Sequence, residues 1–219
     1  MIKDRIVSAL EDPAFSALLK DALVESATTE NKDSHRLLAR LVAERLRCGP
    51  NELLALTIPL ACKVVKSLTS NQLRFLAVAT IIDNIFATQI TDAESGEIRT
   101  FCAEWFDKRI PQIWPKDGIS QLDLRHLVGM SCVNLTTRFK IASPLTVLAR
   151  KLAGTREDPE YGQVYSFLED HRTGQVLAEF WEEKLSYMSL TSSGALIGTC
   201  AFEELCGRQI DLQFLWQTG

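Results

Sequence analysis

The chain has 219 residues, 46% of them hydrophobic and 24% charged, with a formal net charge of −4. That is ordinary globular composition with ample length for a core without disulfides, and it disfavours a uniformly basic nucleic-acid binder. The six cysteines (Cys48, Cys62, Cys102, Cys132, Cys200 and Cys206) form no C-x-x-C pair, so reduced thiols in a cytosolic protein are expected.

Met1-Ile2-Lys3-Asp4-Arg5 has no apolar run behind its charges, so no signal peptide is expected. Ile2–Leu10 places Ile2, Ile6 and Leu10 on one stripe and predicts a short amphipathic helix. Asp12-Pro13 restarts a helix as N-cap and first helical residue, with Phe15, Leu18, Leu19, Ala22 and Leu23 following at helical spacing. After the polar break Thr28–Lys32, a helix is predicted from Asp33 or Ser34 to about Arg47, and Cys48-Gly49-Pro50 stops it. The longest aliphatic stretch, Thr57–Gln89, is divided by Leu68-Thr69-Ser70-Asn71-Gln72-Leu73. Thr69 can accept from the amide of Gln72 while Gln72 reaches back to the amide of Thr69, a capping box with Leu68 and Leu73 as its hydrophobic staple. Two apolar helices, Asn51–Ser67 and Ser70–Thr88, are predicted to meet there. Pro59 is expected to kink or divide the first.

Ile98–Arg109 reads as a helix with Phe101, Cys102, Trp105 and Phe106 inward, and Pro111 and Pro115 bracket an irregular stretch around Trp114. Ser120–Val133 is predicted helical, whereas residues 134–142 are ambiguous between strand and loop. Ser143-Pro144 and Asp158-Pro159 each start a helix, the first ended by Gly154 and the second running through Tyr161–Asp170. Another helix is predicted after Gly174, with Val176, Leu177, Phe180, Trp181 and Leu185 on its apolar stripe. Leu190-Thr191-Ser192 echoes the earlier corner and opens a last helix, Ser193–Cys206, closed by Gly207; Gln209–Trp216 alternates as a strand would. The fold class that follows is all-α: an irregular multi-helix bundle of about nine to eleven helices, with a short strand pair near the C-terminus left open. Residues 1–219 are read as one helical domain, with a sub-division left open near 92–96. The least charged window, Leu185–Phe202, holds six Ser or Thr and two Gly, which suits a buried helix better than a membrane span.

Chemistry is sparse. His35, His126 and His171 are isolated, and no arrangement places two metal ligands on one helix face, so no metal and no cofactor is expected. There is no Gly-x-Ser-x-Gly elbow and no Gly-rich phosphate loop. The carboxylate pairs Glu157-Asp158, Glu182-Glu183 and Glu203-Glu204 are adjacent residues, about 100° apart on a helix, and so do not converge. No catalytic residue is assigned. A candidate basic patch, Arg36, Arg40 and Arg47, lies at i, i+4 and i+11 with Lys63 and Lys66 nearby, although Glu44 interrupts the face by pairing with Arg40. Gly194 and Gly198 imply close packing of the last helix, with Phe180 and Trp181 as the expected neighbours.

Two segments carry a resemblance. One contains Asp12-Pro13-Ala14-Phe15, Ala22, Leu37–Arg47 and Leu68–Leu73; the other contains Trp181, Leu185, Leu190-Thr191-Ser192-Ser193-Gly194, Ile197-Gly198 and Gly207–Trp216. Their order resembles an uncharacterised family of bacterial helical proteins, in which the comparable region forms the C-terminal part of a longer chain. The Leu-Thr-x-x-Gly element is similar to the ending of abortive-infection alpha-type proteins, which are associated with defence against phage. The resemblance covers about residues 10–90 and 175–216 and implies fold more than chemistry.

The expected function is therefore a non-enzymatic interaction or regulatory domain in the cytoplasm, in phage defence or stress response. It has a protein partner, no membrane contact, and a homo-oligomer left open. One alternative is a winged-helix-like nucleic-acid binder using the arginine stripe. Another is an enzyme whose site assembles from separated residues such as His126, Cys132 and Asp123.

Overall fold

The computed structural model describes residues 7, 9–28, 31–48, 52–85, 98–136, 142–153 and 157–207. Most of the predicted Ile2–Leu10 helix, the stop at Gly49-Pro50, the link 92–96 and the Gln209–Trp216 segment lie outside them. Among the described residues the helices are α1 (Pro13–Thr28), α2 (Lys32–Arg45), α3 (Leu53–Val65), α4 (Ser70–Thr80), α5 (Ile98–Phe101), α6 (Ile110–Ile113), α7 (Gln121–Gly129), α8 (Pro144–Ala153), α9 (Pro159–Asp170), α10 (Arg172–Phe180) and α11 (Ser192–Cys206). Three π-helical segments join this series: Ile81–Ile85 extends α4, Cys102–Arg109 links α5 to α6, and Trp181–Leu185 extends α10. The strand pair is β1 (Val133–Leu135) with β2 (Met188–Leu190), antiparallel, with Asn134 opposite Ser189.

The central corner forms as the sequence predicts. Thr69 accepts from the amide of Gln72, and the Gln72 side chain accepts from the amide of Thr69 at 3.1 Å. Leu68 and Leu73 are both buried behind it. Asp12 caps α1 by accepting from the amide of Ala14 at 2.9 Å, and Thr191 caps α11 by accepting from Gly194 at 3.0 Å. Gly207 ends α11 at φ 65°.

Other boundaries are corrected by side chains that compete for the same amides. α2 starts at Lys32, one residue before Asp33, because Asn31 is the N-cap, accepting from the amide of Asp33. Ser34, an alternative start, is instead buried inside the helix and donates to the Val65 carbonyl at 3.4 Å. α3 runs undivided through Pro59, whose lost amide is outweighed by burial of Leu54, Ala55, Ile58, Ala61, Cys62 and Val65 on both sides of it. α7 ends at Gly129, not Val133, because Ser131 turns the chain at φ 54° and sends Val133 into the strand. α10 begins before Gly174, since the His171 imidazole Nδ1 accepts from Thr173 at 3.2 Å and caps it.

The helix predicted to stop at Arg109 continues to Ile113. Ile110 donates to the Trp105 carbonyl, the five-residue step of a π-turn. Repeating that step would require Pro111 to donate to Phe106, which proline cannot do. The orphaned Phe106 carbonyl accepts from the Thr173 hydroxyl at 3.0 Å instead.

The core is one continuous cluster in which α11 packs most extensively on α4 and also against α3 and α2. Gly198 explains the closeness: a Cβ there would sit 2.3 Å from the Leu76 carbonyl oxygen, so backbone meets backbone. Gly194 plays the same part against the Cys132 carbonyl, 1.9 Å from a Cβ. The neighbours of these glycines are thus α4 and the start of β1 rather than Phe180 and Trp181. Trp105, Phe101, Phe106 and Phe202 are fully buried, and the Trp105 and Phe202 rings stack at 5.9 Å.

Candidate functional site

The arginine stripe is divided by its carboxylate neighbours. Arg36 is exposed at a shallow cleft lined by Asp33, Ser70, Arg74 and Glu204. Arg40 turns inward: its Nε and Nη2 reach the two carboxylate oxygens of Glu203 at 3.0 and 3.3 Å, and Nη2 also meets Glu44 at 2.9 Å. Both carboxylates are buried, so this fork joins α2 to α11 as a charged pin. Arg47 lies outside it and closes on Glu44 at 2.8 Å. Lys66 pairs with Glu25 of α1 at 2.5 Å. The three arginines therefore do not present one continuous cationic strip.

Asp123 and His126 are bridged by Gln72. Ser120 and Asp123 form a second capping box, at the start of α7. The buried Gln72 side chain donates to Asp123 at 3.0 Å, and its oxygen lies 3.2 Å from His126 Nδ1. The Asp123 carboxyl sits below the usual carboxylate range. The Ser120 hydroxyl is the main cause, and bonds from the Ser120 amide and Gln72 add to it against the opposing effect of burial. Cys132 is not part of this network: its thiol faces the Met130 carbonyl at 3.9 Å, and burial pushes it up to about 12. Burial likewise raises Cys62 to about 12, Cys102, Cys48 and Cys206 to about 11, and Cys200 further. A thiol so raised is a poor nucleophile at neutral pH. Among the described residues no group of three His, Cys, Asp or Glu side chains is placed to hold a metal ion.

A cavity of about 270 Å³ opens where the π-segment after α4 meets the start of α11. Asp83, Asn84, Ser189, Leu190, Thr191, Ser192 and Ala195 line it. The Thr191 hydroxyl is occupied: it donates toward the Ser131 carbonyl at 2.6 Å while accepting from Gly194. Among the described lining residues there is no imidazole or thiol, and they offer polar contacts and a carboxylate.

The feature that sequence reasoning missed is the outer face of α3. Leu53, Leu56 and Leu60 are 56%, 62% and 57% exposed, directly behind the buried Leu54, Ile58, Ala61 and Val65. Their spacing of three and four residues is that of a narrow coiled-coil seam, which Lys63 continues. The signal was available, because a helix apolar on every side is normally covered on every side. The density of the run hid it by making all of its leucines look like core. On the adjoining α1, Ala14, Ala17, Asp21 and Val24 form a second exposed stripe at the same kind of spacing.

Fold and surface together define an all-α bundle fastened by one antiparallel ribbon, with a bare leucine seam on an outer helix. No helix of the described residues is long and apolar enough to cross a membrane. The chain belongs to an uncharacterised family, whose model, described as ":-like", matches residues 2–158. That match takes in the stretch 92–158, which the resemblance left unplaced, and stops before the 175–216 ending. Comparison with curated proteins and with solved structures finds no match.

Proposed function

We propose that the protein is a non-enzymatic interaction domain that works through protein–protein contact in the cytosol. The observation supporting this is the Leu53, Leu56 and Leu60 seam, three large apolar side chains left in water on a helix whose opposite face is core. Full burial of such a side chain is worth about 1.5–3 kcal/mol, of which the exposed share of each forgoes roughly 1–2 kcal/mol, and an apolar patch of this kind marks interaction surfaces. The regulatory role in phage defence or stress response rests on the likeness of Leu190-Thr191-x-x-Gly194 to the ending of abortive-infection alpha-type proteins.

The test compares wild type with Leu56→Glu and Leu60→Glu in cells challenged with phage and in purified form. The variants are expected to keep the native helical signal, because both positions face solvent, and to lose the cellular effect. Folded variants with undiminished effect would overturn the proposal. So would hydrolysis of nucleotides or nucleic acid by the purified chain, abolished by a single substitution.

A further inference from the structure

We infer that His171 is a pH-sensitive fastening at the corner where α9, α10 and the π-segment Cys102–Arg109 meet. Neutral, it caps α10; protonated, it gives up that cap and keeps only Asp107. The inference goes beyond the proposed function and is independent of the leucine seam.

Both ring nitrogens are engaged, and their partners fix the tautomer. Nδ1 lies 3.2 Å from the Thr173 amide nitrogen. A backbone amide can only donate, so Nδ1 must carry its lone pair. The proton of the neutral ring therefore sits on Nε2, which lies 3.3 Å from Asp107 Oδ1 and donates to it. A second proton, taken from solvent, has one place to go, Nδ1, where it meets the Thr173 N–H head on. It also sets a positive charge at the N-terminus of α10, the end at which the helix dipole disfavours cations. His126 is built the other way. Its Nδ1 faces the Gln72 oxygen, an acceptor that also takes the Thr69 amide, so Nδ1 is the N–H there. That ring can gain a proton at Nε2 without losing the bond.

Asp107 is the charge set against the His171 ring. In the same π-segment Lys108 and Arg109 turn to Glu104. Glu169 and Asp170 at the end of α9, Arg172 of α10, and Arg150 and Lys151 of α8 are exposed. Among the described residues only Asp107 is within ion-pair distance of the imidazole. Its side chain is 63% exposed, so solvent screens what it gains from an imidazolium. The lost cap loosens the first turn of α10. There the Thr173 hydroxyl holds the Phe106 carbonyl at 3.0 Å, and Gly174 lies against the Leu168 carbonyl. Acid thus slackens the joint between the two helices and the π-segment, and a return to neutral pH refastens it.

Amide hydrogen exchange read by NMR on the full chain tests this between about pH 8 and about pH 5, the range in which histidine changes charge. With rates corrected for the intrinsic effect of pH, the Thr173 amide is expected to lose about fivefold in protection as the ring charges, the equivalent of one N-cap. Gln72 and Gly194, capped by the hydroxyls of Thr69 and Thr191, should keep theirs over the same range. The ring nitrogen shifts at the alkaline end should show Nδ1 bare and Nε2 protonated. His171→Asn supplies a cap that does not titrate, so its Thr173 amide should stay protected throughout. Circular dichroism confirms that the variant is folded. A neutral ring protonated on Nδ1 overturns the inference. So does a Thr173 amide that stays protected once the ring is charged, or one that loses protection equally in His171→Asn.

Discussion

Gly198→Ala isolates the contact on which the bundle is built. The added Cβ would lie 2.3 Å from the Leu76 carbonyl oxygen, 2.8 Å from its carbon and 2.2 Å from the Thr80 hydroxyl oxygen. The hydroxyl can rotate away, but the carbonyl belongs to α4 and cannot. Restoring contact distance means parting α4 from α11 by roughly 1 Å, along the most extensive helix contact in the fold, and a gap of that size forfeits a quarter to a half of each dispersion well. Against an overpacking cost of about 1–3 kcal/mol stands a helix-propensity gain of roughly 0.5–1 kcal/mol for replacing glycine by alanine. Because the clash is with backbone on both sides, we expect the upper part of the range to apply, a net loss of about 2 kcal/mol. Gly162 in α9 supplies the control: it is exposed, with nothing within 4 Å of the place a methyl group would take, so Gly162→Ala should gain roughly 0.5–1 kcal/mol. At about 2–4 °C per kcal/mol for a chain of this size, the two variants should move Tm in opposite directions, down by roughly 4–8 °C and up by roughly 1–4 °C. Urea unfolding followed by circular dichroism, with an unchanged m-value, measures both. A Gly198→Ala protein as stable as Gly162→Ala would refute the backbone contact between α4 and α11.

The remaining expectations follow from single contacts. Arg40→Met should cost about 3 kcal/mol, because it leaves the buried Glu203 and Glu44 carboxylates without their shared cation, and Arg40→Met with Glu203→Met should recover part of it; equal urea midpoints for Arg40→Met and wild type would count against the pin. The Asp123 carboxyl sits below its ordinary value in the folded state, so its stabilising contribution is complete above about pH 4 and is lost as pH falls through the folded value. Asp123→Asn should therefore be less stable than wild type at neutral pH, with the difference shrinking in acid; a difference that grows below pH 4 would reverse the assignment. Burial of the thiols predicts that an aromatic disulfide reagent near neutral pH labels half-buried Cys48 and Cys206 slowly, and Cys62, Cys102, Cys132 and Cys200 only on unfolding. Rapid native-state labelling of any of those four would contradict their placement.

How much of this was legible in the sequence depends on the range of the interaction. The Thr69–Gln72 and Thr191–Gly194 caps, the Asp12-Pro13 start and the Gly207 stop are set by residues within four positions of each other, and local chemistry is enough to read them. The Ser120–Asp123 box is equally local and agrees with the predicted start at Ser120, whereas the far end is predicted too late because the apolar pattern runs on to Val133. The Arg40–Glu203 pair spans 163 residues, and no spacing rule links an arginine in one helix to a carboxylate so far along the chain. Gly198 signalled close packing but not which helix would approach, since a glycine specifies distance and leaves the neighbour to the topology.

The leucine seam shows a different limit. Hydrophobic periodicity finds the inward face of a helix by contrast with a polar outer face, and α3 removes the contrast by placing leucine on both. Read for period alone, Leu53, Leu56 and Leu60 are indistinguishable from Leu54, Ile58 and Ala61; only the direction of the rest of the bundle separates them. The stretch that best revealed the core was therefore the one in which a second, outward apolar face was hardest to see.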